Sequence, residues 1–342
     1  MQIADLYNIY KQYPSVQTDT RKLKSGDIFF ALKGPNFNGN SFAKAALEAG
    51  AAYVVIGEKE FEISEKTILV DDVLTALQQL ANHHRKQFSI PFIAITGSNG
   101  KTTTKELIHT VLSEKYKVYT TEGNLNNHIG IPLTLLKIKR DAEIAVIEMG
   151  ANHLLEIESY CRIAEPTHGL ITNCGKAHLE GFGSIEGVRK GKGELFDYLK
   201  TKDDAVAFIM QDYDYLQTMS KDISKIITYG TQDAHVTGHS GNNATLLNVH
   251  VEIENTNTEI KTQLVGDYNL PNVLAAVAVG DAFNISLNEI KSAIEKYVPS
   301  NSRSQLVETG SNKIILDAYN ANPSSMKLAI ENFEHIDTTK KF

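Results

Sequence analysis

The sequence predicts an α/β protein whose central parallel sheet is of the P-loop type. Three observations carry that expectation. Short apolar runs alternate with helical segments along the first two thirds of the chain, which is the pattern of a parallel sheet. One of those runs, "FIAITGSNGKTTTKELI" (residues 92–108), passes through a glycine-bearing turn into a helix. From about residue 235 the chain turns polar, Thr- and Asn-rich and alternating, which suits an antiparallel ribbon.

In order, residues 27–32 and 53–56 read as strands around a helix at 41–49. A strand at 67–70 and a helix at 73–87 follow, and Pro91 marks a boundary. The pattern then restarts with strand 92–96, helix 102–115, strands 143–148 and 168–172, helix 185–200 and strand 205–210. After the ribbon come helices at 271–283 and 287–297, a linker "VPSNS" (298–302), a strand at 313–317 and a helix at 323–332. The divisions that follow are residues 1–88, 89–300 and 301–342.

Composition narrows the function classes. The 342 residues are 42% hydrophobic and 22% charged, an ordinary globular balance for two or three domains. A net charge of −7 and basic runs no longer than Lys137–Arg140 argue against a nucleic-acid surface. Cys161 and Cys174 are too few for a disulfide framework or a zinc cluster. The start "MQIADLYNIYKQY" lacks a signal-peptide pattern and no run approaches 18 apolar residues, so a cytoplasmic protein with no membrane partner is expected.

The loop at 92–108 has what a phosphate site needs. It departs from G-x-x-x-x-G-K-[ST] because Ile95 stands where the first glycine belongs and Gly97 arrives two residues late. Backbone N–H groups and the macrodipole at the helix start favour an anion. Lys101 can reach phosphates and the Thr102 hydroxyl can ligate Mg2+. The plain alternative is a strand–turn–helix corner with a solvated lysine. Glu148 closes the apolar run 145–147 at a strand end facing the same crevice, where a solvated glutamate is the alternative. His178 follows the next strand, near that edge.

These residues together resemble the Mur ligase family, whose loop has the form T-G-[ST]-N-G-K-T and is matched throughout by Thr96–Thr102. The opening "TDTRKLKSGDIFFALKG" (18–34) is similar to the family's UDP-sugar-binding domain, which argues against the folylpolyglutamate branch. "GNLNNHIGIPLTLL" (123–136) and "DAYNANPSSM" (317–326) resemble the branch that joins D-alanyl-D-alanine to UDP-N-acetylmuramoyl-tripeptide. The resemblance implies a three-domain architecture, with a nucleotide-sugar domain, a central ATP domain and a C-terminal domain. It implies ATP and Mg2+ as cofactors, an acyl-phosphate intermediate, those two substrates as partners, and a monomer. The branch that adds the third stem residue (diaminopimelate or lysine) is the nearest alternative. A nucleotide-binding module without ligase activity and a simple phosphotransferase are readings from other classes.

By matched position, Gly97, Ser98, Asn99, Gly100, Lys101, Thr102 and Thr103 would hold the ATP phosphates. Thr102 and Glu148 would hold one metal, His178 and Lys192 a second, and Lys101, His178 and Lys192 form the implied catalytic set. "GKGELF" (191–196) resembles a segment whose lysine is carbamylated, although Gly191 replaces the family's alanine and Lys190 is a rival for the modified position. Asn272 would meet adenine, or else cap a helix. Arg303 would approach the nucleotide and Asp317 the ribose. Asp19, Thr20 and Arg21 would bind the UDP end, while Asn38 and Asn40 stand where the family carries an acid and a histidine. Asn126, Asn127, Tyr319, Asn320 and Asn322 would face substrate, with loop-stabilising amides the alternative for Asn126 and Asn127.

Only 40 residues follow residue 302, fewer than the roughly 50 a compact domain needs. With "HIDTTKKF" (335–342) an unusual domain end, the expected C-terminal domain is truncated.

Overall fold

The computed structural model describes residues 2–241, 245–300, 302–310 and 312–335. Asn301 of the expected linker, three ribbon residues (242–244) and the tail from 336 lie outside the described residues. Contacts group the chain into two compact units. The first takes residues up to Ile90 plus two later segments, Thr121–Ala142 and Ser159–Glu165. The second takes Pro91–Thr120, Glu143–Glu158 and the described residues from Pro166 onward.

The first unit is built on β1 (Val16–Gln17), β2 (Ile28–Phe30), β5 (Tyr53–Ile56) and β6 (Thr67–Leu69), parallel in the order β1-β2-β5-β6. A small antiparallel hairpin, β3 (Lys33–Gly34) and β4 (Phe37–Asn38), interrupts the series. Ile28, Phe29, Phe30, Val54, Val55 and Ile56 are all buried, as expected of strands covered on both faces. Phe29, Val54 and Ile56 pack with Ala43 and Ala46 of the helix Ala43–Glu48. The helix Val73–Arg85 begins on Asp72, whose Oδ1 accepts the Thr75 N–H at 2.6 Å. At its end Arg85 donates from Nε and Nη2 to the carbonyls of Ala164 and Glu165, each at 2.7 Å, satisfying acceptors at the end of the helix Glu156–Ala164. His84 Nε2 meets the Ile138 carbonyl at 2.8 Å, so the segment 121–142 is tied to this unit by buried polar contacts.

The second unit carries a nine-stranded sheet. Its strands are β7 (Phe92–Thr96), β8 (Val118–Thr120), β9 (Ile144–Glu148), β10 (His168–Ile171), β11 (Val206–Met210), β12 (Lys225–Gly230), β13 (Val236–Ser240), β14 (Leu246–Ile253) and β15 (Thr256–Val265). They lie in the order β15-β14-β13-β12-β11-β10-β7-β9-β8. Pairing is parallel from β8 through β13, and β14 and β15 add an antiparallel ribbon. Along β14 burial alternates towards Ile253, the signature of a ribbon with one covered face. β7 and β9 are buried at every residue, consistent with helices on both sides. The helix Leu270–Ala282, buried from Asn272 to Gly280, packs on the helix Lys101–Leu112.

Register positions the site. Ile95 lies beside Glu148 and Thr96 beside Ile171, so β7, β9 and β10 end together. The carboxyl edge of a parallel sheet is where loops converge on ligands. Beyond the helix Leu287–Lys296, a hairpin of β16 (Gln305–Thr309) and β17 (Asn312–Leu316) and the helix Pro323–His335 cluster with this same unit.

Candidate functional site

The loop between β7 and its helix is held open by its neighbours. The Ser98 N–H donates to the Asn173 carbonyl at 2.9 Å and Ser98 Oγ to the Gly175 carbonyl at 3.0 Å. The Asn99 N–H reaches Asn173 Oδ1 at 3.1 Å, while the Asn99 carbonyl accepts Thr172 Oγ1 at 2.6 Å. Two glycines are required by this path. A Cβ on Gly97 (φ +142°) would sit 2.0 Å from Thr172 Oγ1, and one on Gly100 (φ +82°) 2.5 Å from Asn272 Oδ1. Lys101 folds back on the loop, Nζ donating to the carbonyls of Gly97 at 2.7 Å and Ser98 at 3.1 Å. Burial lowers the affinity of Lys101 for its proton, with Glu148 opposing the shift and Arg303 adding to it. Thr103 is buried one residue past Thr102 at the helix start.

Beside the loop, Thr102 Oγ1 donates to Glu148 Oε1 at 3.2 Å, both groups buried. This hydroxyl–carboxylate pair is an all-oxygen set. Among the described residues no group of three or more His, Cys, Asp or Glu stands ready for a metal. The pair therefore suits a cation that completes its shell with water and phosphate oxygens, as Mg2+ does.

Lys192 and Lys190 part company in the structure. Lys190 is exposed, whereas Lys192 is 1% exposed and donates to the Ala151 carbonyl at 2.9 Å. Its ammonium lies 5.1 Å from the centre of the Phe182 ring. Burial, and then the charge of Lys101, bring the Lys192 pKa down to about 7. Phe182 also occupies the space beside Gly191, where a Cβ would come within 2.4 Å of the ring, so this chain's glycine matches its own packing. His178 is exposed at the start of the short helix Leu179–Phe182 with φ +53°. Partial desolvation of the ring lowers its pKa, helped by the positive charges of Lys192 and Lys101 and opposed by Glu156.

A polar chain leads from the loop to the last segment of the unit. Thr104 Oγ1 donates to Asn272 Oδ1 at 3.0 Å and Asn272 Nδ2 to Asn269 Oδ1 at 2.9 Å. Asn269 Nδ2 donates to Ser304 Oγ at 3.0 Å, and Tyr268 OH contacts both Ser304 Oγ at 3.0 Å and Asp317 Oδ2 at 3.5 Å. Burial raises the Asp317 pKa against the Ser304 N–H and Arg303, which lower it. The Arg303 guanidinium stacks on Tyr319 at 3.7 Å from the ring centre. Asn322 bonds in two directions. Its Oδ1 caps the helix Pro323–His335 by accepting the N–H groups of Ser324 at 3.0 Å and Ser325 at 2.9 Å, and its Nδ2 donates to Asn99 Oδ1 at 2.7 Å. Asn320 accepts the Ala321 N–H at 2.9 Å within its own turn.

The remaining residues named from sequence lie in the first unit. Asp19 receives both Arg21 Nε at 2.9 Å and Nη2 at 2.8 Å, a forked pair that takes the carboxyl pKa down to about 2. Asp19 caps the short 3-10 helix Thr20–Lys22 by accepting the Arg21 N–H. Asn127 Oδ1 accepts the N–H groups of Ile129 at 3.1 Å and Gly130 at 2.9 Å, capping the helix Gly130–Leu136, and Asn126 bends back to Asn124. Asn38 and Asn40 bond to one another, to Glu58 and to the Gly57 N–H, so these amides hold their own loop. Sequence reasoning passed over Thr172, Asn173, Tyr268 and Ser304. For the first two a signal existed, a polar pair closing an apolar strand at the edge already nominated.

Comparison with known proteins converges. The Mur ligase middle domain matches residues 95–280, and the Mur ligase family catalytic domain matches residues 12–85. UDP-N-acetylmuramoyl-tripeptide–D-alanyl-D-alanine ligase of Bacillus subtilis is 40% identical over 332 residues, 94% of this chain and 70% of that protein. The crystal structure of MurF from Acinetobacter baumannii superposes with a TM-score of 0.86 at 30% identity, covering 94% of this chain and 71% of that one. MurF ligase from Thermotoga maritima in complex with ADP superposes with a TM-score of 0.84 at 27% identity, covering 94% and 74%.

Proposed function

The chain belongs to the Mur ligase family, and from that premise we propose that it joins D-alanyl-D-alanine to UDP-N-acetylmuramoyl-tripeptide at the expense of ATP. It is an ATP-dependent ligase forming an amide bond. The observation that carries the reading is the convergence of Lys101, the Thr102–Glu148 pair, Lys192 and Asn272 on one sheet edge of the second unit.

Chemistry explains why such a site is needed. A carboxylate is a poor acyl donor because its leaving group would be an oxide. Attack of the tripeptide carboxylate on the γ-phosphorus breaks the bond to the β-phosphate oxygen and releases ADP. The resulting acyl phosphate is attacked by the free amine of the dipeptide. Phosphate departs with the C–O bonding electrons, the amine loses a proton to solvent, and an amide remains. Gly97–Thr103 would wrap the phosphates, and Lys101, released from the Gly97 and Ser98 carbonyls, would follow charge onto the transferring group. Thr102 and Glu148 would hold Mg2+, which when bound offsets repulsion between the anionic nucleophile and the triphosphate. His178 and a carbamate on Lys192 would serve a second ion. An ammonium cannot ligate a cation, whereas an uncharged amine adds CO2 to give an anionic carbamate and a proton. A pKa of about 7 puts that amine within reach at neutral pH.

Asn272 would meet adenine, with Arg303 and Asp317 towards the nucleotide. Tyr319, Asn320, Asn322, Asn126 and Asn127 would meet peptide substrate. Asp19, Thr20 and Arg21 would meet the UDP end. No helix among the described residues is long and apolar enough to cross a membrane, and we place the enzyme in the cytoplasm, as a monomer, where nucleotide-linked precursors are made.

The test is ADP release with UDP-N-acetylmuramoyl-tripeptide, with and without D-alanyl-D-alanine. Release that requires the dipeptide supports the ligase. Release that responds instead to diaminopimelate or lysine, on the corresponding shorter acceptor, identifies the third-residue branch. Release indifferent to any amine, or none, overturns the proposal.

A further inference from the structure

One carboxylate on the helix Ile185–Leu199 takes no part in the reaction as derived. Glu194 is 8% exposed and faces the segment that follows β9. Its Oε1 accepts the Leu155 N–H at 2.6 Å and its Oε2 the Glu158 N–H at 3.0 Å. Leu155 has φ +68°, a left-handed conformation in which a Cβ crowds the following carbonyl. At 65% exposed, Leu155 has little apolar burial to offset that strain. The turn is held by polar bonds instead. Glu156 Oε2 accepts the N–H groups of Asn152 at 2.6 Å and His153 at 3.0 Å, and Glu194 supplies the other two contacts.

Upstream in the same segment, the Ala151 carbonyl is the acceptor for Lys192 Nζ at 2.9 Å. Ala151 stands three residues after Glu148, the last residue of β9. The helix therefore grips this segment at two points, through Lys192 and through Glu194. A strained turn between them persists only when its surroundings over-determine it.

We propose that Glu194 is a positioning residue for the ligase reaction: by clamping the left-handed turn at Leu155 it fixes the Ala151 carbonyl against Lys192, and so sets that lysine relative to Glu148. The inference rests on the ligase reading. The nucleotide loop is braced separately by Thr172, Asn173 and Gly175, so loss of the clamp should disturb chemistry and leave ATP binding intact.

Glu194→Gln keeps the shape but turns one oxygen into an amide donor facing an N–H. Glu194→Asp keeps the charge but shortens its reach, and serves if the first variant does not fold. Either should lower kcat about tenfold or more, leave the KM for ATP within about twofold, and speed amide hydrogen exchange at Leu155 and Glu158 about tenfold. Adding Leu155→Gly should recover most of the lost kcat, because glycine adopts this φ without strain. Wild-type kcat, unchanged exchange, or kcat and KM falling together without recovery would each overturn the inference. Dipeptide-dependent ADP release by the unmodified protein is the separate check. If it is absent the ligase reading has failed, and if it is present with a normal Glu194→Gln variant only this inference has.

Discussion

Lys101 is anchored by two neutral carbonyls of its own loop, not by a carboxylate. Replacing it should therefore remove function without removing fold. Lys101→Ala is expected to abolish ATP turnover while thermal melting stays within a few degrees of the parent, and wild-type ADP release from the folded variant would refute the assignment. Lys192 makes the opposite case, a buried amine whose charge burial disfavours. Lys192→Ala should lose activity and regain part of it with added short carboxylates, which replace the carbamate oxygens. An unmodified amine in a well-resolved structure equilibrated with bicarbonate would count against that. The motif match favoured Lys192 over its rival Lys190, but the burial of the one and exposure of the other were not legible in the sequence. Both sit in the same apolar-poor stretch, and only the packing of Phe182 and Ala151 shows which one turns inward.

Among the elements, β10 carries a titration that reads out its packing. The His168 ring centre lies 6.3 Å from that of Phe208 and 5.4 Å from that of Phe283, and burial, with Lys225 adding to it, takes its pKa from 6.5 to about 4. Between those values the unfolded chain binds a proton that the folded chain does not. This contribution is complete above about pH 6.5 and declines as pH falls towards 4, by up to about 3 kcal/mol. His168→Phe should flatten that part of the acid limb in urea titrations at pH 4.5 and 7, and an unchanged slope would refute it. The strands around the site were legible because buried parallel strands are largely apolar runs, as β7, β9 and β11 are, while β10 offers only Leu170 and Ile171. The helix Gly130–Leu136 was not, since Gly130 and Pro132 read as breakers and its start depends on a cap from Asn127. β8 is three half-buried residues at the sheet edge, too short for any period. The polar chain through Asn269, Tyr268 and Ser304 escaped notice because its members meet only through the fold.

Across the whole molecule, the final segment leaves apolar side chains in solvent. Among the described residues, Ile314, Met326, Leu328 and Ile330 are all more than 40% exposed on one hairpin and one helix. The matched Bacillus subtilis ligase is covered over only 70% of its length. A version extended by a further C-terminal α/β domain should form peptide bonds at least about tenfold faster, because closure of such a domain would exclude water and orient the amine. Equal rates would make that domain dispensable. The division of the chain has a consequence for its synthesis. The first unit takes in Thr121–Ala142 and Ser159–Glu165, with strands of the second made in between. A ribosome delivers residues one after another, so the first unit lacks parts until residue 165 has emerged, by which time β7, β8 and β9 of the second are already present. The two units must then sort their segments from one another as they fold. Neither can be excised by a single cut, and a fragment ending at Ile90 would leave Arg85 without the carbonyls of Ala164 and Glu165.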